Sequence, residues 1–511
     1  MRSLALHTHP VLGPLVMAAA AVTLATGCRR AATLDTAALA SLVHAPPVGP
    51  APVEATLRPQ RQESWFGVYL AEQKAGHARE VVEWLPDGGL RVSTTVSLRL
   101  KRNDAPMELD VTDRVEYGPP PTRSLASFET RERTGTAGGV VRRGQLSATG
   151  EQLEVVIDAG GTTERRSLPR PRESANDAVA ALLVARLAAN PRLETWQFDR
   201  STLTEHRQDV EVVERRQLTL SGVPSEVLVV RTRDAARGLE LVTRVTLAGQ
   251  TLETTVGPGL RMVLEEADVA RNLAASLPDA FRLTVLPLEG ALGDPATIRR
   301  LRVALAGLNP GVARGDGRQS RDGDVLTVWR RTLTELAEVP LSAADRERWL
   351  ARTALADADS PRVREFVAPI ARSEPVARQV EAVVHRVHRT LRYSLATAAA
   401  SASGILADGA GDCSEFARVL VAALRALGVP AREVLGLVYA PRDQGFVFHA
   451  WAEAYVDSRW LAVDATWDQV PVDATHIALG NEDPAPIVSV IGGVKAKLVD
   501  VERFESGPQP R

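Results

Sequence analysis

Between residues 63 and about 274 the apolar positions recur mostly every second residue. Leu90, Val92, Thr94, Val96, Leu98 and Leu100 alternate with Arg91, Ser93, Thr95, Ser97 and Arg99, and Leu239, Leu241, Thr243, Val245 and Leu247 repeat the pattern. Successive side chains of a strand point to opposite faces, so this period predicts antiparallel strands with one wet face. One helix, near Asp177 to Ala189, interrupts them. From about residue 276 to 335 further strands are expected at Arg282 to Leu288 and Asp324 to Arg330, separated by the glycine-rich, charged loop Asn309 to Gly323. From Ser342 to Tyr393 the period becomes helical. Val376, Val380, Val383, Val384, Val387 and Leu391 share one face, and Glu381, His385, His388 and Arg392 the other. No third ligand stands at metal-site spacing from His385 and His388, so their face reads as solvated and no metal is expected.

The last stretch is more specific. Asp412 suits a helix N-cap and Glu415 stands three positions on, as in a capping box. Phe416, Val419, Leu420, Ala423, Leu424 and Leu427 follow at helical spacing, and Gly428 and Pro430 end the helix. Strands are expected at Val434 to Tyr439, Phe446 to Val456 and Trp460 to Asp464. The second carries His449, Trp451, Glu453 and Tyr455 on one face. A two-residue turn at Asp457-Ser458 sets Asp464 opposite Trp451 and diagonal to His449, while a tighter turn sets it directly opposite His449. Both registers put the two side chains on one face, and a one-residue slip would part them.

Composition narrows the setting. The chain has 511 residues and a formal net charge of −2, enough length for two to four domains and no basic stripe to suggest a nucleic-acid partner. Arg2, the mostly apolar run Val11 to Ala25 and the small residues before Cys28 read as an export signal. Leu24-Ala25-Thr26-Gly27-Cys28 resembles a bacterial lipoprotein lipobox, with Ala25 where the commonest form has a larger aliphatic residue. That resemblance implies that Cys28 is lipidated and anchors the chain to a membrane. An ordinary secretory signal or an uncleaved anchor are the alternatives. Arg29 follows the cysteine, so the aspartate that retains lipoproteins in the inner membrane is absent and an outer-membrane, periplasm-facing address is expected. The alanine- and proline-rich residues after Cys28 read as a tether.

The address sharpens the meaning of Cys413, one of only two cysteines. With Cys28 lipidated, Cys413 has no disulfide partner, and a lone thiol in an oxidising compartment is either buried or used. Cys413 falls in the first helical turn, where the helix dipole favours thiolate. Its N–H is a candidate oxyanion donor. A thiolate can attack an acyl carbon, a histidine can stabilise it and protonate the leaving amine, and a carboxylate can hold the imidazole in one tautomer. Cys413, His449 and Asp464 are the candidates for these roles.

The text Gly411-Asp412-Cys413-Ser414-Glu415-Phe416-Ala417, then Phe448-His449-Ala450-Trp451-Ala452-Glu453-Ala454-Tyr455-Val456, then Trp460-Leu461-Ala462-Val463-Asp464-Ala465-Thr466-Trp467, resembles the transglutaminase-like superfamily. Asp473-Ala474-Thr475-His476-Ile477 looks like that family's trailing segment, and His476 receives no catalytic role. Ala410 stands where many relatives carry a basic residue, which puts a substrate contact in doubt. Residues Trp65 to Tyr69, with Lys74 and Gly76, loosely resemble an N-terminal module that precedes such domains. The resemblance implies a papain-like thiol fold with Cys413 as nucleophile, His449 as acid and base, and Asp464 as the orienting carboxylate. It implies hydrolysis, deamidation or cross-linking of protein or peptide amides, with no cofactor.

The expectation is therefore an α+β chain with a papain-like transglutaminase core behind antiparallel β-rich domains. Its segments are a lipoprotein signal (1–27), a tether (28–61), a β-rich domain (62–274), a small β subdomain (275–340), the catalytic domain (341–485) and a C-terminal strand and tail (486–511). The alternatives are a catalytically silent papain-like scaffold and an envelope accessory dedicated to one partner.

Overall fold

The computed structural model describes residues 60–505 apart from 103–104, 135–138, 258, 274–276, 314, 316, 395–398, 482–489 and 492. The expected signal segment, Cys28, nearly all of the tether and the end of the C-terminal tail lie outside the described residues. The described chain is strand-rich, with mainly antiparallel sheets and a helix-bearing C-terminal part, compatible with an α+β label. Among the described residues no helix is long and apolar enough to cross a membrane.

Fourteen strands, β1 (Arg61–Leu70) through β14 (Leu260–Glu265), form one sheet. Each chain-consecutive pair is antiparallel except across one break. Strand β1 also pairs with β14, so the edges fall at β8 (Thr162–Pro169) and β9 (Arg192–Asp199). The predicted alternation is realised. Leu90, Val96, Leu98 and Leu100 are buried while Arg99 is exposed. The expected helix joins the two edge strands in two pieces, Ala175–Ala178 and Ala180–Ala189, because Val179 adopts an extended conformation between them.

The second sheet departs from the expected division. β15 (Leu286–Glu289), β16 (Ile298–Ala306), β17 (Gln319–Asp322) and β18 (Val325–Trp329) do not stand apart as a small subdomain. They continue into the strands that bear His449 and into the last described strand. Two short strands, β19 (Arg392–Tyr393) and β20 (Ala410–Gly411), pair separately. The main ladder contains β21 (Ala431–Ala440), β22 (Gly445–Val456), β23 (Arg459–Val463), β24 (Ile477–Asn481) and β25 (Lys495–Arg503). β15 is the splice. Leu286 and Pro287 pair with Phe446 and Gly445 of β22, while Leu288 and Glu289 pair in parallel with Ala496 and Lys497 of β25. The stretch expected as a strand from Arg282 begins instead as a helical turn, Ala280–Thr284. A continuous apolar cluster, including Phe66, Leu260, Leu301, Phe446 and Ile477, runs between the two sheets.

The helix Cys413–Ala426 lies on this second sheet. Its Phe416, Val419, Leu420, Ala423 and Leu424 are buried with Ala452, Ala454 and Val456 of β22. Each large apolar side chain buried there contributes about 1.5–3 kcal/mol. The small side chains of Ala450, Ala452 and Ala454 fall on one face of the strand, and all twelve residues of β22 are buried, unlike an antiparallel strand with one wet face. Gly428 (φ 83°) ends the helix, with the N–H of Val429 donating to the carbonyl of Leu424. Arg425 then ties the helix end to the carbonyls of Ala431 (Nε, 3.0 Å) and Ala351 (Nη1, 3.0 Å).

Candidate active site

The two-residue turn between β22 and β23 is Asp457-Ser458, both at positive φ (46° and 60°), as a type I′ hairpin requires. The resulting ladder pairs Val456 with Arg459 and Ala452 with Val463, which is the first of the two expected registers and brings Asp464 level with Trp451. From there Asp464 reaches diagonally to His449. The Nε2–H of His449 donates to Asp464 Oδ2 at 2.8 Å, and both residues are buried. Asp464 Oδ1 accepts the N–H of Thr466 at 2.7 Å. Burial opposes its charge, but the facing His449 and His476 overcome that and hold the carboxyl well below the usual carboxylate range.

With Nε2 committed to Asp464, the lone pair of His449 lies on Nδ1. That atom is buried and makes no hydrogen bond. A buried imidazole nitrogen without a partner costs free energy, and such exceptions mark groups poised for chemistry. Around it stand Trp467 (ring centroids 5.2 Å apart), His476 (5.7 Å) and Trp451 (6.2 Å).

Cys413 opens its helix as expected, fully buried, and among the described residues it forms no disulfide. Asp412 Oδ1 accepts from the N–H and hydroxyl of Ser414 (2.9 and 2.7 Å), and Glu415 Oε2 accepts the N–H of Asp412 (2.8 Å). This is the predicted capping box. Gly411 makes room for it, since a Cβ there would come within 2.4 Å of the Glu415 Cβ. Burial and the neighbouring charge of Asp412 push the Glu415 carboxyl well above its usual range, against the pull of Arg418. The helix packs on β22, the strand that carries His449, but the thiol is not hydrogen-bonded to His449 Nδ1. Nucleophile–base contacts are commonly looser before substrate binds.

Two features were not foreseen. The first is His476, to which no catalytic role was assigned from its motif. Its Nε2 lies 3.3 Å from the same Asp464 Oδ2, and its Nδ1 lies 3.1 Å from Asp473 Oδ1. Asp473 also accepts from the N–H (2.8 Å) and hydroxyl (2.6 Å) of Thr475 and from Gln469 Nε2 (3.0 Å). His449, Asp464 and His476 offer ligand-type atoms within 4.8 Å of one another. Their N···O separations are those of ring N–H groups on a carboxylate, and none is assigned as a metal ligand. The second feature is the face of the Val376–Thr390 helix expected to be solvated. His385 Nδ1 meets Asp468 Oδ1 at 2.5 Å, and His388 Nδ1 meets the Ala465 carbonyl at 3.0 Å. Rather than facing only water, this face grips the loop that follows Asp464 and carries Trp467.

Comparison with known proteins agrees with the local architecture. Residues 364–465 match the model of the transglutaminase-like superfamily. An uncharacterized protein of Mycobacterium tuberculosis is 29% identical over 167 residues, covering 28% of this chain and 53% of the relative. The chain thus spans about half the length of the curated relatives it matches. Among solved structures, a candidate cysteine protease from Cytophaga hutchinsonii is similar at 17% identity and a TM-score of 0.27, covering 41% of this chain and 90% of its own. A β-barrel-like protein of a domain of unknown function from Brucella abortus is similar at 12% identity and a TM-score of 0.31, covering 40% and 95%.

Proposed function

We propose that this protein is a thiol acyl-transfer enzyme acting on amide bonds of proteins or peptides, with Cys413 as nucleophile, His449 as acid and base, and Asp464 as the carboxylate that orients His449. The observation that carries this reading is the His449 ring itself. Its Nε2–H is fixed on Asp464 at 2.8 Å, and its Nδ1 is buried without a hydrogen-bond partner on the strand against which the Cys413 helix packs. In the reaction the Cys413 proton passes to His449 Nδ1. The sulfur attacks the amide carbonyl carbon, and the C–N bond breaks as Nδ1–H protonates the departing amine. Water or an amine then attacks the thioester carbon, breaking the C–S bond, with its proton taken by Nδ1. Water gives hydrolysis or deamidation, and an amine gives a cross-link. The Cys413 N–H is proposed as one donor to the oxyanion.

The lipobox-like text at Cys28 supports a lipid-anchored, periplasm-facing enzyme, with the long N-terminal sheet presenting substrate or docking a partner. A second reading, a papain-like scaffold that binds without turnover, is favoured by the complete burial of both Cys413 and His449.

The two readings separate on incubating envelope proteins with the full chain or its Cys413→Ala variant. Released ammonia, new N-termini or new cross-links that depend on Cys413 support the enzyme and identify the acceptor. Identical products from both proteins support the scaffold.

A further inference from the structure

We propose that His476 is a positioning residue of this site, a buried imidazolium that bridges Asp464 and Asp473 and so sets how strongly Asp464 can stabilise charge on His449. This rests on the Cys413–His449–Asp464 reading above.

The argument begins with acceptors. An ionised carboxylate only accepts hydrogen bonds, and both neighbours of the His476 ring are used that way. Asp464 takes the Thr466 N–H on Oδ1 and the His449 N–H on Oδ2. Asp473 takes the N–H and hydroxyl of Thr475 on Oδ1 and the Gln469 amide on Oδ2. With a carboxylate opposite each ring nitrogen, at 3.3 and 3.1 Å, both nitrogens of His476 must donate. A ring that donates twice is charged.

Charge balance leads to the same state. His476, Asp464 and Asp473 are all buried. Two buried carboxylates face the rings, and the buried Arg318 guanidinium on the adjoining main-chain carbonyls offsets one of them. A charged His476 offsets the other. Burial disfavours a charged His476, but Asp473 and Asp464 outweigh burial and hold its pKa above the ordinary value.

The groups facing this ring come from four elements. β22 contributes His449 and Trp451, and the loop after β23 contributes Asp464 and Trp467. The segment before β24 contributes Asp473. Arg318, just before β17, donates to the main-chain carbonyls of His476 and Asp473, so its charge lies on the backbone beside the ring.

The test is ring-nitrogen NMR of the full chain across pH, with signals assigned from His476→Gln and Cys413→Ala. The glutamine keeps an N–H donor for Asp464 and removes the charge. His476 is expected to keep two protonated nitrogens at pH values above about 6.5, where an ordinary histidine is mostly neutral. The ring centroids of His449 and His476 are 5.7 Å apart. Removing the His476 charge should therefore raise the pH at which the Cys413–His449 pair releases its shared proton by on the order of 1–2 units. Asp473→Asn, a second variant that keeps the ring, should lower the pH at which His476 itself loses its second N–H. A His476 ring already neutral at about pH 6.5 in the full chain, or a release pH unmoved in His476→Gln, overturns the proposal and leaves His476 as packing. Failure of the thiol reading looks different. Cys413→Ala would then leave the His449 signals unchanged, while the His476 spectrum still reports its own charge.

Discussion

Among the described residues, two of the buried charged clusters are built on different cations. In the N-terminal sheet, Glu173 accepts from the Tyr117 hydroxyl (2.7 Å), the Phe198 N–H (2.8 Å) and the guanidinium of Arg200, which also lies 3.7 Å from Asp113. Although burial opposes its charge, Glu173 and Asp113 hold the Arg200 pKa above an already high value. In the C-terminal sheet the cations are imidazoles, His476 and, during the proposed reaction, His449. A guanidinium keeps its charge at any pH the protein meets, so the first cluster is a fixed strut. An imidazole can give up its proton near neutrality, so the second cluster can move charge. On the proposed reading, the difference separates a site for stability from a site for chemistry, although both are buried and both are ionic.

The largest break in this comparison should come from the chemical side. Cys413→Ala and His449→Ala should each lower Cys413-dependent amide turnover by at least about 10³-fold, because members of such a unit fail together. Cys413→Ala should change the melting curve little, whereas His449→Ala also removes a hydrogen bond from buried Asp464 and should lower it. The converse variant is Arg200→Met, which strands Glu173 and Asp113 in the interior. It should cost about 3–5 kcal/mol in urea unfolding and leave the chemistry of the surviving folded protein intact. A smaller effect is expected at Gly436, opposite His449 in the β21–β22 ladder. A Cβ there would come 2.1 Å from the Ile477 carbonyl and 2.5 Å from the Trp451 ring. Gly436→Ala should therefore cost about 1–3 kcal/mol by the same unfolding assay and also weaken turnover, since it displaces the wall beside His449.

The subtlest contrast is in pH. His476 has a raised folded-state pKa, so its contribution to stability is fully present below about 6.5 and is lost as pH rises through the raised value. Asp464 and Asp473 are held low, so their contribution is present above about 4 and fades as pH falls. The Arg200 cation does not titrate on the alkaline side. Hydrogen exchange across pH should therefore show the C-terminal sheet loosening first in alkali, and His476→Gln should flatten that dependence. Equal loosening of both sheets would remove the distinction.

The parts of the site that the sequence made legible are local. The helix from Cys413 to its Gly428 stop follows from apolar spacing and capping residues, and the β22–β23 register follows from a two-residue turn. Those are choices made within a few residues. The splice through β15 was not legible, because it joins Leu288 to Ala496 and depends on packing between segments far apart in the chain. His476 was visible but misjudged. A histidine and an aspartate three apart in a segment with Ala474 and Ile477 had to be buried, and buried polar groups need partners. The structure supplies Asp473 and Asp464 as those partners. His385 and His388 erred the other way. Their face was polar, but its partners were a carboxylate and a carbonyl on a loop brought over by the fold.

The central claim is that Cys413 and His449 form a reactive pair, and the most direct measurement is the rate of Cys413 alkylation by a small reagent against pH, beside His449→Ala. The account predicts labelling that persists well below the ordinary thiol pKa of about 8.5 and collapses at low pH in the variant. Labelling that rises only near that ordinary value, with the same profile in both proteins, would contradict it.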